Sequence, residues 1–168
     1  MGDGSGLVTV EVVGVRQRAS ADEIVVLLLD ADAELLVPIL IGPAEASAIA
    51  SAQAGVVPPR PMTHDLLRDV IVATGDGLDH VEITRLDDGI FYADLVLTRA
   101  RRVDSRASDA IAMALRFGVP VLCSAEVVAE AGVEVRTTTS EEDLARFKAF
   151  LEAVSPEDFE TGAEPDEA

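Results

Sequence analysis

His64 stands in Arg60-Pro61-Met62-Thr63-His64-Asp65, with an arginine shortly before it and a carboxylate beside it. Thr63 reads as the cap of a helix, and a helix N-terminus offers unpaired amides that bind anions such as phosphate. An imidazole there can move protons near neutral pH, and Asp65 can orient it or hold a divalent cation. A plain structural reading covers the same residues: Thr63 caps, Asp65 complements the helix dipole, and His64 packs. Glu45 and Asp109 carry the same ambiguity. Each falls in the first turn of an expected helix, where the dipole favours an acid by about 0.3–1 kcal/mol with no partner at all. Should Glu45, Asp65 and Asp109 converge beside His64, they would form a hard-metal site for Mg²⁺ or Mn²⁺. Arg60 and Arg106 would then hold a phosphate. Arg99, Arg101, Arg102 and Arg116 complete the most basic stretch of the chain and are further candidates for phosphate contact. His80 precedes a strand and reads as a surface residue.

Other chemistries are excluded. No Gly-rich phosphate loop follows a strand, and no Gly-x-Ser-x-Gly elbow does. Cys123 is the single cysteine, which rules out an internal disulfide or a cysteine-pair metal site and fits a reducing cytoplasm. The N-terminus lacks the basic start and apolar run of a signal peptide, and apolar runs such as Ile24–Leu29 are too short to span a bilayer. The expectation is a soluble cytoplasmic protein with no membrane partner.

The net charge is −18. Residues 136–168 hold ten acidic and three basic residues, leaving 21 acidic and ten basic in 1–135. Such an excess argues against broad electrostatic binding of nucleic acid. Lys148 is the only lysine; every other cation is an arginine, the side chain suited to bidentate contact with phosphate or carboxylate.

The elements that must position these groups repeat. Arg106-Ala107-Ser108-Asp109-Ala110-Ile111-Ala112-Met113-Ala114 reads as a helix start, with Ser108 as cap, Gly118 as the left-handed stop and Pro120 beyond it. Gly42-Pro43-Ala44-Glu45-Ala46-Ser47-Ala48-Ile49-Ala50 repeats it with Glu45 on Asp109, Ala46 on Ala110 and Ile49 on Met113. Both copies follow about three strand-like runs. Leu7–Val15 alternates with period two, Ile24–Leu29 is continuously apolar, and Leu35–Ile41 returns after an Asp-rich turn, with Pro38 marking an edge or bulge. The second set starts at Asp79, turns at Asp87-Asp88-Gly89, returns over Ile90–Leu97 and continues with Arg101–Ser105.

Between the units, a proline-rich extended linker leads into a helix from His64 to Ala73. A strand at Val119–Cys123, a short helix ending at Gly132 and a strand or linker at Val133–Thr139 follow. The fold class expected is α+β: two β-β-β-α repeats forming one domain over 7–135, with a mixed or antiparallel sheet. Residues 136–168 are expected to add an acidic helix from Ser140, with a Leu144, Phe147, Leu151 and Val154 stripe, and a disordered end.

At Val10-Glu11-Val12-Val13-Gly14-Val15, Pro38–Ala46, Arg60–Leu67, Phe91-Tyr92-Ala93 and Arg106–Ala112 the chain resembles the bacterial bifunctional nuclease family. The pieces occur in the family's order across residues 7–135. Arg106-Ala107-Ser108-Asp109 departs from the family's frequent Arg-Pro-Ser-Asp, which relaxes the start of the helix but removes no functional group. The resemblance implies an α+β fold, a homo-oligomer, and DNase and RNase activity. The reading that follows is a metal-assisted phosphodiesterase with DNA and RNA as substrates. Glu45, Asp65 and Asp109 would hold the metal, His64 would assist proton transfer, and Arg60 and Arg106 would hold the phosphate. The alternative is a non-enzymatic oligomeric module binding a small anion or a protein partner, which the excess acid suits better.

Overall fold

The computed structural model describes residues 6–17 and 23–135. The expected acidic helix from Ser140 lies outside the described residues. The first unit runs β1 (Leu7–Gln17), β2 (Ile24–Asp30), β3 (Leu35–Ile41) and α1 (Pro43–Gln53); α2 (Thr63–Ala73) follows. The second runs β4 (Leu78–Asp87), β5 (Ile90–Leu97), β6 (Arg102–Arg106) and α3 (Ala107–Phe117). Then come β7 (Val121–Ser124), α4 (Ala125–Ala131) and the two-residue β8 (Val133–Glu134).

The strands form one mixed sheet in the order β6-β5-β4-β7-β1-β2-β3-β8. Each unit is an antiparallel meander, so the expected repeat is present: β1-β2-β3 on one side of β7, β4-β5-β6 on the other. Because β7 is parallel to β4 and antiparallel to β1, the two meanders run in opposite senses, as a rough twofold rotation would place them. In both units the third strand passes almost directly into the helix, through Gly42 alone in the first and with no spacer in the second. That shared exit puts the first turns of α1 and α3 in equivalent places.

Local chemistry explains the turns. Asp30 is buried, and its Oδ1 accepts the N–H groups of Asp32 and Ala33, each at 3.1 Å, to close the β2–β3 turn. At the β4–β5 turn Asp88 and Gly89 both take positive φ, 48° and 77°, as a two-residue hairpin turn requires. Pro38 pairs with Leu27 on its inner side, while β8 reaches only Leu35 and Leu36. Its missing N–H therefore falls on a part of β3 with no outer neighbour among the described residues. β6 starts one residue later than expected because Ala100 turns with φ 57° and the Arg101 carbonyl closes that turn on Leu97 N–H.

α3 is the centre of the core. Ala107, Ser108 and every residue from Ala110 to Ala114 are buried, and α3 packs on α1, α2 and strands β4 and β5. Its alanines let it lie close to the sheet, while Ile111 and Met113 supply bulk and have no exposed surface. Truncating either to alanine typically costs about 2–5 kcal/mol. The matched positions of the repeat, Ala46 with Ala110 and Ile49 with Met113, are all buried, so the shared register is a register of core contacts. Gly118 ends the helix in the left-handed region, φ 67° and ψ 36°, as expected.

Two helix starts differ from expectation. Met62 and Arg106, not Thr63 and Ser108, hold the extended N-cap position. Thr63 is the first helical residue and Ser108 is buried inside α3. In both, the strand or proline-rich segment stays extended right up to the first turn, which shifts the cap back and leaves the acid at the third helical residue.

On the strand β4, His80 sits between two carboxylates, its Nδ1 2.6 Å from Asp79 Oδ2 and its Nε2 2.9 Å from Glu82 Oε1. Glu82 is also held by Arg102, which in turn binds Asp94. Burial opposes the charged imidazole, but the Glu82 and Asp79 contacts outweigh it and raise the His80 pKa above 6.5. A raised folded-state pKa contributes stability that is full below 6.5 and fades as pH climbs through the folded value. His80→Asn should therefore be about 0.5–1 kcal/mol less stable than wild type near pH 6, with the gap narrowing at alkaline pH as the imidazole loses its proton. Urea unfolding under both conditions reads this; a gap that does not change would show that His80 contributes only packing.

Candidate active site

The equivalent exits of the two units bring acids together. Glu45, Asp65 and Asp109 are each the third residue of their helices, α1, α2 and α3. At α2 the acid serves its own helix, since Asp65 Oδ2 accepts the Met62 N–H at 3.0 Å. Its other oxygen receives Arg116 Nε at 2.7 Å, and Arg116 Nη1 donates to the carbonyls of Ala48 and Ala112, both 3.1 Å. Asp65 thus fastens α2 to α1 and α3. The Arg116 hydrogen bond, aided by the Met62 N–H, holds its carboxyl below the usual range against the opposing effect of burial.

Asp109 behaves differently. It caps no backbone group among the described residues. Its Oδ1 lies 2.9 Å from His64 Nε2, and Oδ2 receives Arg106 Nε at 2.7 Å. Arg106 Nη2 reaches Asp109 Oδ1 at 3.1 Å and Glu45 Oε1 at 3.0 Å, so one guanidinium bridges the first turns of α1 and α3. Burial pushes the Asp109 carboxyl up, but the Arg106 and His64 hydrogen bonds more than offset it and leave Asp109 below its ordinary value. Those carboxylates, Asp109 foremost, raise the Arg106 pKa in return.

His64 is largely covered, with 14% of its side chain exposed. With Nε2 committed to Asp109, its Nδ1 has no hydrogen-bond partner among the described residues and is not buried. Arg106 Nη1 is likewise free of partners there, on a side chain that is 65% exposed. Asp109 thus holds both an imidazole with a spare ring nitrogen and a guanidinium with a spare N–H pair. This arrangement can take a proton from water next to a bound phosphate.

His64 and Arg106 line a cavity of about 780 Å³ with Glu45, Asp65, Asp109 and Arg116. Its walls add Val56, Pro58, Met62, Leu67 and Val103, together with Ser47, Ser51, Thr63 and Ser105. α2 contributes no buried residue; Leu66, Val70 and Val72 are exposed on it.

The expected site residues therefore separate. Glu45, His64, Arg106 and Asp109 come together through direct contacts. Asp65 lines the same cavity but is spent on Arg116 and on its own helix. Arg60 is exposed, makes no ion pair among the described residues and does not line the cavity. The basic stretch is mostly engaged elsewhere: Arg101 with Asp76, Arg102 with Glu82 and Asp94, Arg99 with the Gly75 carbonyl. The described residues contain no group of three His, Cys, Asp or Glu set to hold a metal, so Glu45, Asp65 and Asp109 do not form a cage as they stand. Arg106 fills the gap between Glu45 and Asp109 instead. The apolar wall and the locking role of Arg116 were not foreseen from the sequence. The wall's only advance signal was β6, whose alternation turns Val103 and Ser105 to one side.

A sharp separation of roles follows for Asp65. Asp65→Asn removes the charge that Arg116 needs and should cost about 1–3 kcal/mol of stability, while turnover per folded molecule stays within a few-fold of wild type. Thermal unfolding and activity on the same preparation check it. A stable variant without turnover would place Asp65 in the chemistry.

An α+β domain whose repeated helix starts hold a carboxylate–imidazole–guanidinium centre is one class of architecture, and similarity to known proteins places it. Residues 26–136 match the bifunctional nuclease domain, and the chain belongs to that family. It is also similar to uncharacterized proteins of Mycobacterium tuberculosis from two strains, each 46% identical over 158 residues, covering 89% of this chain and 96% of the relative. No helix among the described residues is long and apolar enough to cross a membrane.

Proposed function

We propose that this chain hydrolyses phosphodiester bonds of DNA and RNA at the His64–Asp109–Arg106 centre. The observation that carries the reading is the behaviour of Asp109: helix capping accounts for Asp65, but both oxygens of Asp109 are turned to His64 and Arg106. In the proposed reaction Arg106 Nη1 binds a phosphate oxygen, assisted by the positive ends of α1 and α3. His64 Nδ1 takes a proton from the attacking water, and Asp109 holds the ring and stabilises the imidazolium that forms. The proton then passes to the departing sugar oxygen. Water as the nucleophile serves DNA and RNA alike, since no 2′-hydroxyl is needed. Arg60 is proposed to meet the neighbouring phosphate.

Mg²⁺ or Mn²⁺ stays a proposal outside these steps, because the expected carboxylate trio does not fit a metal as arranged. The test of the whole reading is degradation of single-stranded RNA and DNA by purified protein, with and without Mg²⁺, Mn²⁺ and EDTA. Defined fragments are expected from both; intact substrate in every condition would overturn it. Loss of cleavage with EDTA alone would restore the metal to the centre.

The oligomeric binding module is the second reading. The unburied apolar stripe of α2 favours it, as does the net charge. A homo-oligomer, proposed here also for the enzyme, would cover that stripe, and sedimentation velocity reads it.

A further inference from the structure

We infer that the ligand of this cavity is a short single-stranded oligonucleotide, not duplex nucleic acid; the inference rests on the proposed hydrolytic reading and narrows its substrate. Three observations lead to it.

The first is shape and lining. A cavity of about 780 Å³ has the size of a small-molecule site, which runs to about 300–1,000 Å³. Besides its charged residues, its walls include the apolar side chains of Val56, Pro58, Met62, Leu67 and Val103. Such a wall accepts the apolar face of a nucleobase. A duplex hides its base faces by stacking and pairing, and offers only phosphates and groove edges. An unpaired nucleotide can lay its base on the wall and its phosphate on Arg106.

The second is the supply of free cations. Arg68, Arg101, Arg102 and Arg116 are each paired with a carboxylate, and Arg85 lies over the Tyr92 ring at 3.6 Å. Among the described residues, Arg106 Nη1 at the cavity and Arg60, which lies in sequence between the lining residues Pro58 and Met62, remain for phosphates. That is one or two contacts, too few to track a long backbone.

The third is the charge of the whole chain, −18. Repulsion grows with every phosphate brought close to the surface, and duplex DNA carries one charge per about 1.7 Å. A ligand with one to three phosphates meets the least of it.

The experiment uses the full chain and one RNA sequence as a dinucleotide, a tetranucleotide, a long single strand and a blunt duplex. Initial rates give kcat/KM for each. Fluorescence anisotropy of a labelled phosphorothioate tetranucleotide gives binding without turnover, for wild type and for Val103→Glu, which puts a charge on the apolar wall. The short single strands should be cleaved at least about tenfold more efficiently than the duplex. Tetranucleotide binding should fall with salt at a log–log slope of about −0.7 to −1.4, and Val103→Glu should weaken it at least about tenfold. A duplex cleaved as fast as the tetranucleotide, or a steep salt slope, overturns the substrate inference and leaves hydrolysis standing. Tight binding sensitive to Val103→Glu with no cleavage of any substrate supports the ligand class and overturns hydrolysis. Neither binding nor cleavage overturns both.

Discussion

The His64→Ala variant is expected to lose at least about 10²-fold in kcat/KM on single-stranded RNA and DNA, within the 10²–10⁴ that positioned proton transfer supplies. The ring is held by Asp109 at Nε2, its Nδ1 is without a partner among the described residues, and His64 lines the cavity, so alanine removes the proposed proton acceptor and nothing else in the centre. The fold should tolerate the change: His64 lies in the first turn of α2, a helix with no buried residue. Stability is expected to stay within about 1 kcal/mol of wild type. Kinetics and urea unfolding on the same preparation separate a chemical loss from an unfolded one. Wild-type turnover by folded His64→Ala would end the proton-transfer role.

Arg106→Ala should cost about 10²–10³-fold, the size of effect seen when a donor to developing charge is removed. Two consequences combine in this substitution. The phosphate loses its Nη1 contact, and Glu45 and Asp109 lose the guanidinium that neutralises them both. Arg106→Lys keeps the charge but has one nitrogen for two carboxylates and a phosphate, so an intermediate loss is expected. If alanine and lysine were equally harmless at equal stability, Arg106 would be a structural bridge between α1 and α3.

Much of this arrangement was legible in the sequence. The duplicated Glu45 and Asp109 register carried the β-β-β-α repeat, because matched alanines and Ile49 or Met113 had to face one core. The Asp88-Gly89 turn and the Gly118 stop were readable because each needs a backbone conformation few residues adopt. Capping was harder. Thr63 and Ser108 have the right hydroxyls, yet each helix begins one or two residues earlier than those hydroxyls suggest, so Met62 and Arg106 take the cap. Convergence across the fold was the real limit. Asp65 and Asp109 look alike in sequence, each a third helical residue with arginines nearby. Only packing decides that Arg116, arriving from the last turn of α3, claims Asp65 while His64 claims Asp109. The same packing occupies Arg101 and Arg102 with Asp76 and Glu82, whose distance along the chain hides the pairing.

The central claim is that His64 and Asp109 act as one unit in phosphodiester hydrolysis, and a double-mutant cycle tests it most directly. Single-turnover cleavage of one tetranucleotide would be measured for wild type, His64→Ala, Asp109→Asn and the double variant, all purified identically and shown to be folded. Groups that act together are strongly non-additive, so the double variant should be no slower than the slower single. Losses that multiply would mean the two residues act independently, and a double variant as fast as wild type would place any cleavage elsewhere.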